Sequence, residues 1–219
     1  MIAVIDYGAG NLRSVTNALA KLGCRPKVTR KPEDVINATA VIFPGVGAAG
    51  DAMNSLRRSG MDKAIREAIC NGRPFFAICV GMQVLLSTTA EGGRNECLDI
   101  IPGEVKKLCA GLKVPHIGWN QVKQIEPRPI LKGIPDESNF YFVHSYYAEP
   151  EDASVVAGTT EYGQNFCSIL IKDNLIATQF HPEKSGELGL RLYANFLKLA
   201  GGKEQLPRRE QNCGTLNIS

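Results

Sequence analysis

The chain has 219 residues, 44% hydrophobic and 21% charged, the balance of an ordinary globular protein with one sizeable core or at most two small ones. Lys plus Arg total 25 against 22 Asp plus Glu, a net charge of +3, too weak to indicate nucleic-acid binding without a basic run interleaved with aromatics. No stretch approaches the roughly 18 apolar residues of a membrane span, and Met1 to Asp6 lacks the basic leader and cleavage site of a signal peptide, reading instead as a first strand.

Ile2 to Ile5 is a short apolar strand, followed by the glycine-rich turn Tyr7-Gly8-Ala9-Gly10-Asn11. Leu12 to Leu22 places Leu12, Val15, Leu19 and Leu22 at a helical period, and Gly23 ends that helix. Pro26 to Thr29 and Ala40 to Phe43 follow as strands, the second running into Pro44-Gly45-Val46-Gly47. Met61 to Cys70 is a helix with Met61, Ala64, Ile65, Ala68 and Ile69 on one face. Phe75 to Ile78 is a fourth strand, and Gly81 to Leu86 opens a helix behind Cys79. Continuously apolar strands alternating with helices predict an α/β fold, its central sheet mainly parallel and covered on both faces.

The second half reads as a mixed or antiparallel portion: short runs at 104–108, 121–125, 154–157 and 166–169, several of them alternating. Phe140 to Val143 is a buried strand leading into His144, and Leu175 to Gln179 another leading towards His181. Leu188 to Leu199 is a final amphipathic helix. One domain over 1–200 is expected, with a polar, mobile tail over 201–219 punctuated by Pro207 and Gly214.

Seven cysteines, Cys24, Cys70, Cys79, Cys97, Cys109, Cys167 and Cys213, are odd in number and irregularly spaced. With no Cys-x-x-Cys pair, they predict neither a disulfide framework nor a zinc site, but free thiols in a reducing compartment, here the cytoplasm. No metal or cofactor is expected.

Cys79 differs from the others. It lies between the apolar run ending at Ile78 and a helix that starts with small residues, the layout of a nucleophile elbow. A helix N-terminus behind the sulfur favours thiolate. Gln179-Phe180-His181-Pro182-Glu183 supplies a base and a carboxylate to orient it, two residues apart and facing the same side in extended backbone. Gly45 or Val46, with Val80, can aim backbone N–H groups at a tetrahedral intermediate on Cys79. A buried inert cysteine, a surface turn and a simple connection are the plain readings of these three segments taken singly; together they point to covalent acyl transfer. His116 and His144 lack a carboxylate two residues on and read as hydrogen-bonded structural histidines. The turn Tyr7 to Asn11 lacks the spacing of a nucleotide-binding loop and reads as a helix-capping turn.

With these motifs assembled, the chain resembles the class I, triad-type glutamine amidotransferases. Asp6-Tyr7-Gly8-Ala9-Gly10-Asn11, Pro44-Gly45-Val46-Gly47, Pro115-His116-Ile117-Gly118-Trp119-Asn120-Gln121 and Tyr141-Phe142-Val143-His144-Ser145-Tyr146-Tyr147 narrow the resemblance to the glutaminase-subunit family of imidazole glycerol phosphate synthases, over about Met1 to Leu199. The resemblance implies a flavodoxin-like fold and hydrolysis of L-glutamine through a Cys79 thioester, with His181 as base and Glu183 as its orienter. It implies a glutamine pocket including Gly47, Gln83, Glu91, Ser145 and Tyr146. Its implied partner is a (βα)8-barrel cyclase forming a heterodimer, with Trp119, Asn120, Tyr141 and Lys184 at or near the interface. Ammonia passed to that barrel goes onto a phosphoribulosyl intermediate, giving imidazole glycerol phosphate and aminoimidazole carboxamide ribotide in histidine biosynthesis. Two positions depart from the family pattern: Ala77 stands where glycine is usual, crowding the elbow, and Val80 where leucine is commoner. Three other readings remain: a paralogue feeding ammonia to another acceptor such as a nucleotide sugar, a non-catalytic scaffold, and a stand-alone cysteine hydrolase.

Overall fold

Runs of aliphatic and aromatic residues, buried on both faces, form the strands at the centre of the molecule. The computed structural model describes residues 1–201; beyond Gly201 the expected tail, with Cys213, lies outside the described residues. Strands β1 (Ile2–Ile5), β2 (Lys27–Thr29), β3 (Ala40–Gly45) and β4 (Phe75–Cys79) pair in parallel in the order β2-β1-β3-β4. The late strand β13 (Leu175–Thr178) joins β4, again in parallel. Helix α1 (Leu12–Lys21) links β1 to β2, and α2 (Pro32–Ile36) links β2 to β3. Helices α3 (Ala49–Ser59) and α4 (Met61–Cys70) link β3 to β4. Strand order reverses at β1, so right-handed crossovers put α1 on one face and α2 to α4 on the other. Accordingly α1 meets the terminal helix α6 (Gly186–Ala200), whereas α4 packs on α2 and α3. Helix α6 is anchored to β4 by aromatic contacts: Tyr193 and Phe196 lie 5.7 and 5.3 Å, ring to ring, from Phe76.

Beyond β13 the sheet turns mainly antiparallel, β5 pairing with β7 in parallel. It continues through β12 (Asn165–Lys172), β10 (Tyr146–Pro150) and β7 (Gly103–Lys107) to the short strands β5 (Thr88–Thr89) and β6 (Asn95–Glu96). A branch leaves β12 through β11 (Val156–Glu161) to β8 (His116–Gln124), which pairs with β9 (Ser138–His144). This is the expected α/β architecture with a mixed second half. Among the described residues six cysteines are free thiols, and no helix is long and apolar enough to cross a membrane.

Several expected boundaries are corrected. The run expected at 154–157 is a 3-10 turn, Ala153–Val155, followed by β11. The run at 121–125 is the end of the longer β8. The helix expected over 81–86 starts one residue earlier and is a single turn, Val80–Gln83, because its next residues bend into the loop before β5. Helices α2 and α3 and strands β5, β6 and β10 were not expected at all.

All five parallel strands end on the same edge of the sheet. Gly45 and Cys79 are ladder partners at the ends of β3 and β4, and Thr178 ends β13 beside Ile78. That edge is where the strand-end residues of an open α/β sheet converge on ligands.

Candidate active site

Cys79 occupies the bend between β4 and the single turn α5 (Val80–Gln83), with φ 53° and ψ −109°. A side-chain-bearing residue there is strained, at a cost on the order of 1–3 kcal/mol. The close approach of β3 to α5 explains the glycines around it. A Cβ on Gly81 would sit 2.3 Å from the Phe43 carbonyl oxygen, and one on Gly45 would sit 2.6 Å from the Gly81 nitrogen. Ala77, by contrast, lies fully buried within β4 between its ladder partners Phe43 and Ala177. The sheet accommodates its methyl group, so the crowding expected there is not seen. The elbow's need for glycine falls at positions 45 and 81.

The base comes from the end of β13. The His181 backbone N–H donates to the Tyr141 carbonyl at 2.9 Å, and Ser185 Oγ donates to the His181 carbonyl at 2.7 Å while accepting from the Tyr141 N–H at 3.0 Å. Pro182–Lys184 forms a 3-10 turn, so Glu183 reaches back by a turn and not by the extended geometry the sequence suggested. The outcome is the same: His181 Nδ1 and Glu183 Oε1 are 2.8 Å apart, and both side chains are 1% exposed. With Nδ1–H held by the carboxylate, Nε2 is the nitrogen left for proton transfer, and it is buried without a hydrogen bond of ordinary geometry. Burial disfavours the charged ring. The neighbouring Cys79 sulfur and the Glu183 carboxylate outweigh it and raise the His181 pKa to about 10. The electrostatics thus favour a protonated His181 ring beside the sulfur.

Cys79 and His181 open onto a cavity of about 330 Å³ at this edge. Its walls include Gly47, Gln83, Glu91, Ser145 and Tyr146, together with Val46, Val80, His144 and Lys184. Glu91 Oε2 accepts from the Ala49 N–H at 2.8 Å, fixing its carboxylate at the start of α3. Gly45 does not line the cavity. A larger cavity, about 490 Å³ between Arg128, Ser154 and Lys172, has no cysteine or histidine in its lining.

The turn after β3 is arranged differently from expectation. The Val46 N–H donates to the Tyr7 hydroxyl at 3.0 Å, and that hydroxyl donates to the Val46 carbonyl, also at 3.0 Å. Burial raises the Tyr7 pKa to about 12, so its hydroxyl keeps its proton. The Val46 amide is therefore committed away from Cys79 in this conformation. Gly47, next in line, has φ +91°, and its conformational freedom permits the preceding peptide to turn. Val80 is the first residue of α5, where helix geometry leaves its N–H unused.

His116 and His144 are hydrogen-bonded within the protein. They are ladder partners on β8 and β9, with His116 Nδ1 3.0 Å from His144 Nε2, and His144 Nδ1 2.9 Å from the Tyr146 carbonyl oxygen. Burial lowers the pKa of both. That of His144 falls from 6.5 to about 4, the Tyr146 carbonyl opposing the shift and the His116 and His181 rings adding to it. An unfolded chain takes up a proton at this histidine as pH falls through about 6.5, and the folded chain only near 4. Stability is therefore full above pH 6.5 and declines towards pH 4, by up to about 3 kcal/mol. Urea midpoints measured across that window should show the decline in the wild type and a flatter profile in His144→Asn; parallel profiles would contradict it.

The residues expected at a partner interface lie on the β8–β9 hairpin and beside it. Trp119 is 58% and Ile117 59% exposed. The Trp119 and Tyr141 rings meet edge to face at 6.0 Å, and Lys184 Nζ stands 5.6 Å over the Tyr141 ring. Asn120 is less available, since its side chain donates to the Glu161 carbonyl at 2.9 Å. Two residues of the site escaped sequence reading: Tyr7, read only as part of a capping turn, and Gln179, whose Nε2 lies 3.6 Å from Cys79 Sγ. Both sit in motifs already singled out, but the targets of their side chains are distant in the chain.

A buried thiol in an elbow, a histidine paired with a carboxylate and an adjoining cavity thus meet at one edge of the sheet. The model of the class-I glutamine amidotransferase family matches residues 3–199, and the chain belongs to that family. It is 56% identical over 205 residues to "Imidazole glycerol phosphate synthase subunit HisH" of Dehalococcoides mccartyi (strain ATCC BAA-2266 / KCTC 15142 / 195), covering 94% of this chain and 100% of that protein. Proteins of the same name from Moorella thermoacetica and Acinetobacter baylyi are 52% and 48% identical, over 90% of this chain and 94% and 97% of theirs. In fold it resembles a solved glutamine amidotransferase at TM-score 0.71 and 22% identity, covering 92% of this chain and all of that one. It also resembles the glutaminase domain of Trypanosoma brucei CTPS at TM-score 0.65 and 16% identity, covering 94% and 96%.

Proposed function

We propose that this chain is the glutaminase subunit of imidazole glycerol phosphate synthase, working in the cytoplasm with a (βα)8-barrel cyclase in histidine biosynthesis. The observation that carries the reading is the buried Cys79–His181–Glu183 array in its cavity, within a chain similar over nearly its whole length to proteins of that name. Cys79 as thiolate attacks the carboxamide carbon of L-glutamine. The carbonyl oxygen becomes an oxyanion held by the Val80 N–H and by the Val46 N–H once that amide is released. His181 gives its proton to the departing nitrogen, the C–N bond breaks, and ammonia leaves a γ-glutamyl thioester. Water, deprotonated by His181, hydrolyses the thioester to glutamate and regenerates the thiol. Glu183 holds Nδ1–H throughout, so that Nε2 always faces the reaction. Gln83, Glu91, Ser145 and Tyr146 bind the substrate's amino-acid end. Ammonia passes directly to the cyclase, because in water at neutral pH it becomes ammonium and ceases to be a nucleophile.

The exposed Trp119 face, beside Tyr141 and Lys184, receives the partner, and the Tyr7–Val46 bonds keep the oxyanion site incomplete until it docks. A glutaminase assay of the chain with and without the cyclase and its phosphoribulosyl ligand tests this. Low activity alone and strong activation by the partner are expected. Tyr7→Phe, which deletes the hydroxyl holding Val46, should raise the unpartnered rate by up to about tenfold. Full activity of the isolated wild type would sink the gating; no glutaminase activity in the complex would sink the function.

A further inference from the structure

Gln179 is fully buried at the end of β13, and its Nε2 donates to Cys79 Sγ at 3.6 Å. What makes this contact informative is that the orientation of its amide is not free. Gln179 Oε1 accepts from Gln83 Nε2 at 3.2 Å, and Gln83 Nε2 also donates to the Tyr146 backbone carbonyl at 2.8 Å. A carbonyl only accepts, so Gln83 must present its NH2 group to it. Gln83 therefore offers a donor to Gln179, which must answer with oxygen and leave its own NH2 for the sulfur. The same Tyr146 carbonyl fixes His144, whose Nδ1 carries the proton donated to it at 2.9 Å. Nε2 of His144 must then accept from His116 Nδ1–H at 3.0 Å, and His116 Nε2 faces the Asn120 amide at 3.4 Å. The donors and acceptors are mutually consistent: the Tyr146 carbonyl accepts from His144 on one side and from Gln83 on the other, and Gln83 in turn fixes Gln179.

We infer that Gln179 is a positioning residue for the nucleophile, holding the Cys79 sulfur as a hydrogen-bonded thiolate, with its amide locked donor-to-sulfur by the Gln83–Tyr146 relay. An N–H donor aimed at sulfur stabilises the anion more than the thiol, and burial strengthens the effect. His181 is then free to act as a proton carrier without also being the sulfur's only neighbour of complementary charge. The inference rests on the reading of Cys79 as the nucleophile.

The test is the pH dependence of Cys79 alkylation by iodoacetamide in the full chain, with the labelled residue identified by peptide mass spectrometry. Gln179→Met keeps the bulk and removes the donor; Gln179→Glu replaces the donor with an acceptor. Both should alkylate about tenfold more slowly at pH 7, with the midpoint moved about one unit towards alkaline pH, as loss of a hydrogen bond to a charged group requires. Gln83→Met, which touches the relay and not the sulfur, should shift the midpoint the same way by less. A merely structural role for Gln179 would alter the unfolding midpoint and leave the alkylation profile in place. Unchanged profiles in folded Gln179→Met overturn the inference, and a shift there with none in Gln83→Met overturns the relay. If Cys79 of the wild type is not the residue labelled, it is the nucleophile reading that fails.

Discussion

Cys79→Ala, assembled with the cyclase, is expected to lose glutamine-dependent synthesis by on the order of 10⁴-fold or more while keeping synthesis from added ammonium salts. Removal of a nucleophile disables the whole array it belongs to, so His181 and Glu183 cannot compensate. The fold should survive: alanine pays about the same backbone cost as cysteine at φ 53°, and the lost sulfur leaves space open to the cavity. Ammonia bypasses the step that the thiol performs, so the barrel's own chemistry continues. The comparison is made by following product with glutamine and with an ammonium salt at alkaline pH. Loss of both activities would mean that Cys79 does something other than liberate ammonia.

The second large effect is expected at a residue outside the cavity lining. Gly189 lies in α6, where a Cβ would stand 1.9 Å from the Pro182 carbonyl oxygen and 3.1 Å from Ser185 Cβ. The helix rests directly on the turn that carries His181 and Glu183, with no room for a methyl group. Gly189→Ala must either push that turn away or move the helix that Tyr193 and Phe196 anchor to Phe76. Overpacking of this kind costs about 1–3 kcal/mol, and a shift of about 1 Å in a catalytic group costs on the order of 100-fold in rate. Urea unfolding and the glutaminase rate of the complex measure the two. A variant with wild-type stability and rate would show that the turn and helix are not rigidly coupled.

The parts of the molecule legible in the sequence are those whose signal is local. Strands β1, β3 and β4 are buried on both faces and read as unbroken apolar runs, and α4 shows its period without interruption. The elbow and the His-Pro-Glu turn are likewise short segments carrying their own chemistry. Helix α3 has the same period, with Ala49, Ala52, Met53 and Leu56 buried, but Gly50, Asn54 and Ser55 dilute it. Strand β10 has only Ala148 buried and ends in a proline, so nothing in it alternates strongly. Tyr7 and Gln179 act on atoms 39 and 100 residues away, and only the assembled sheet edge brings them there. The occupied Val46 amide belongs to the same class: it is a property of a conformation, which a glycine-rich sequence permits without specifying.

The backbone of Cys79 sets durability against turnover at a single residue. Glycine at position 79 would relax the bend and reward the folded state, at the expense of all the chemistry proposed here. A programme of hardening this protein against heat by placing glycine at positive-φ positions should therefore pass over residue 79. Glu137, exposed and at φ 55°, offers the same relief with nothing attached to it. The strain at 79 is the part of the molecule that selection for robustness alone would erase first.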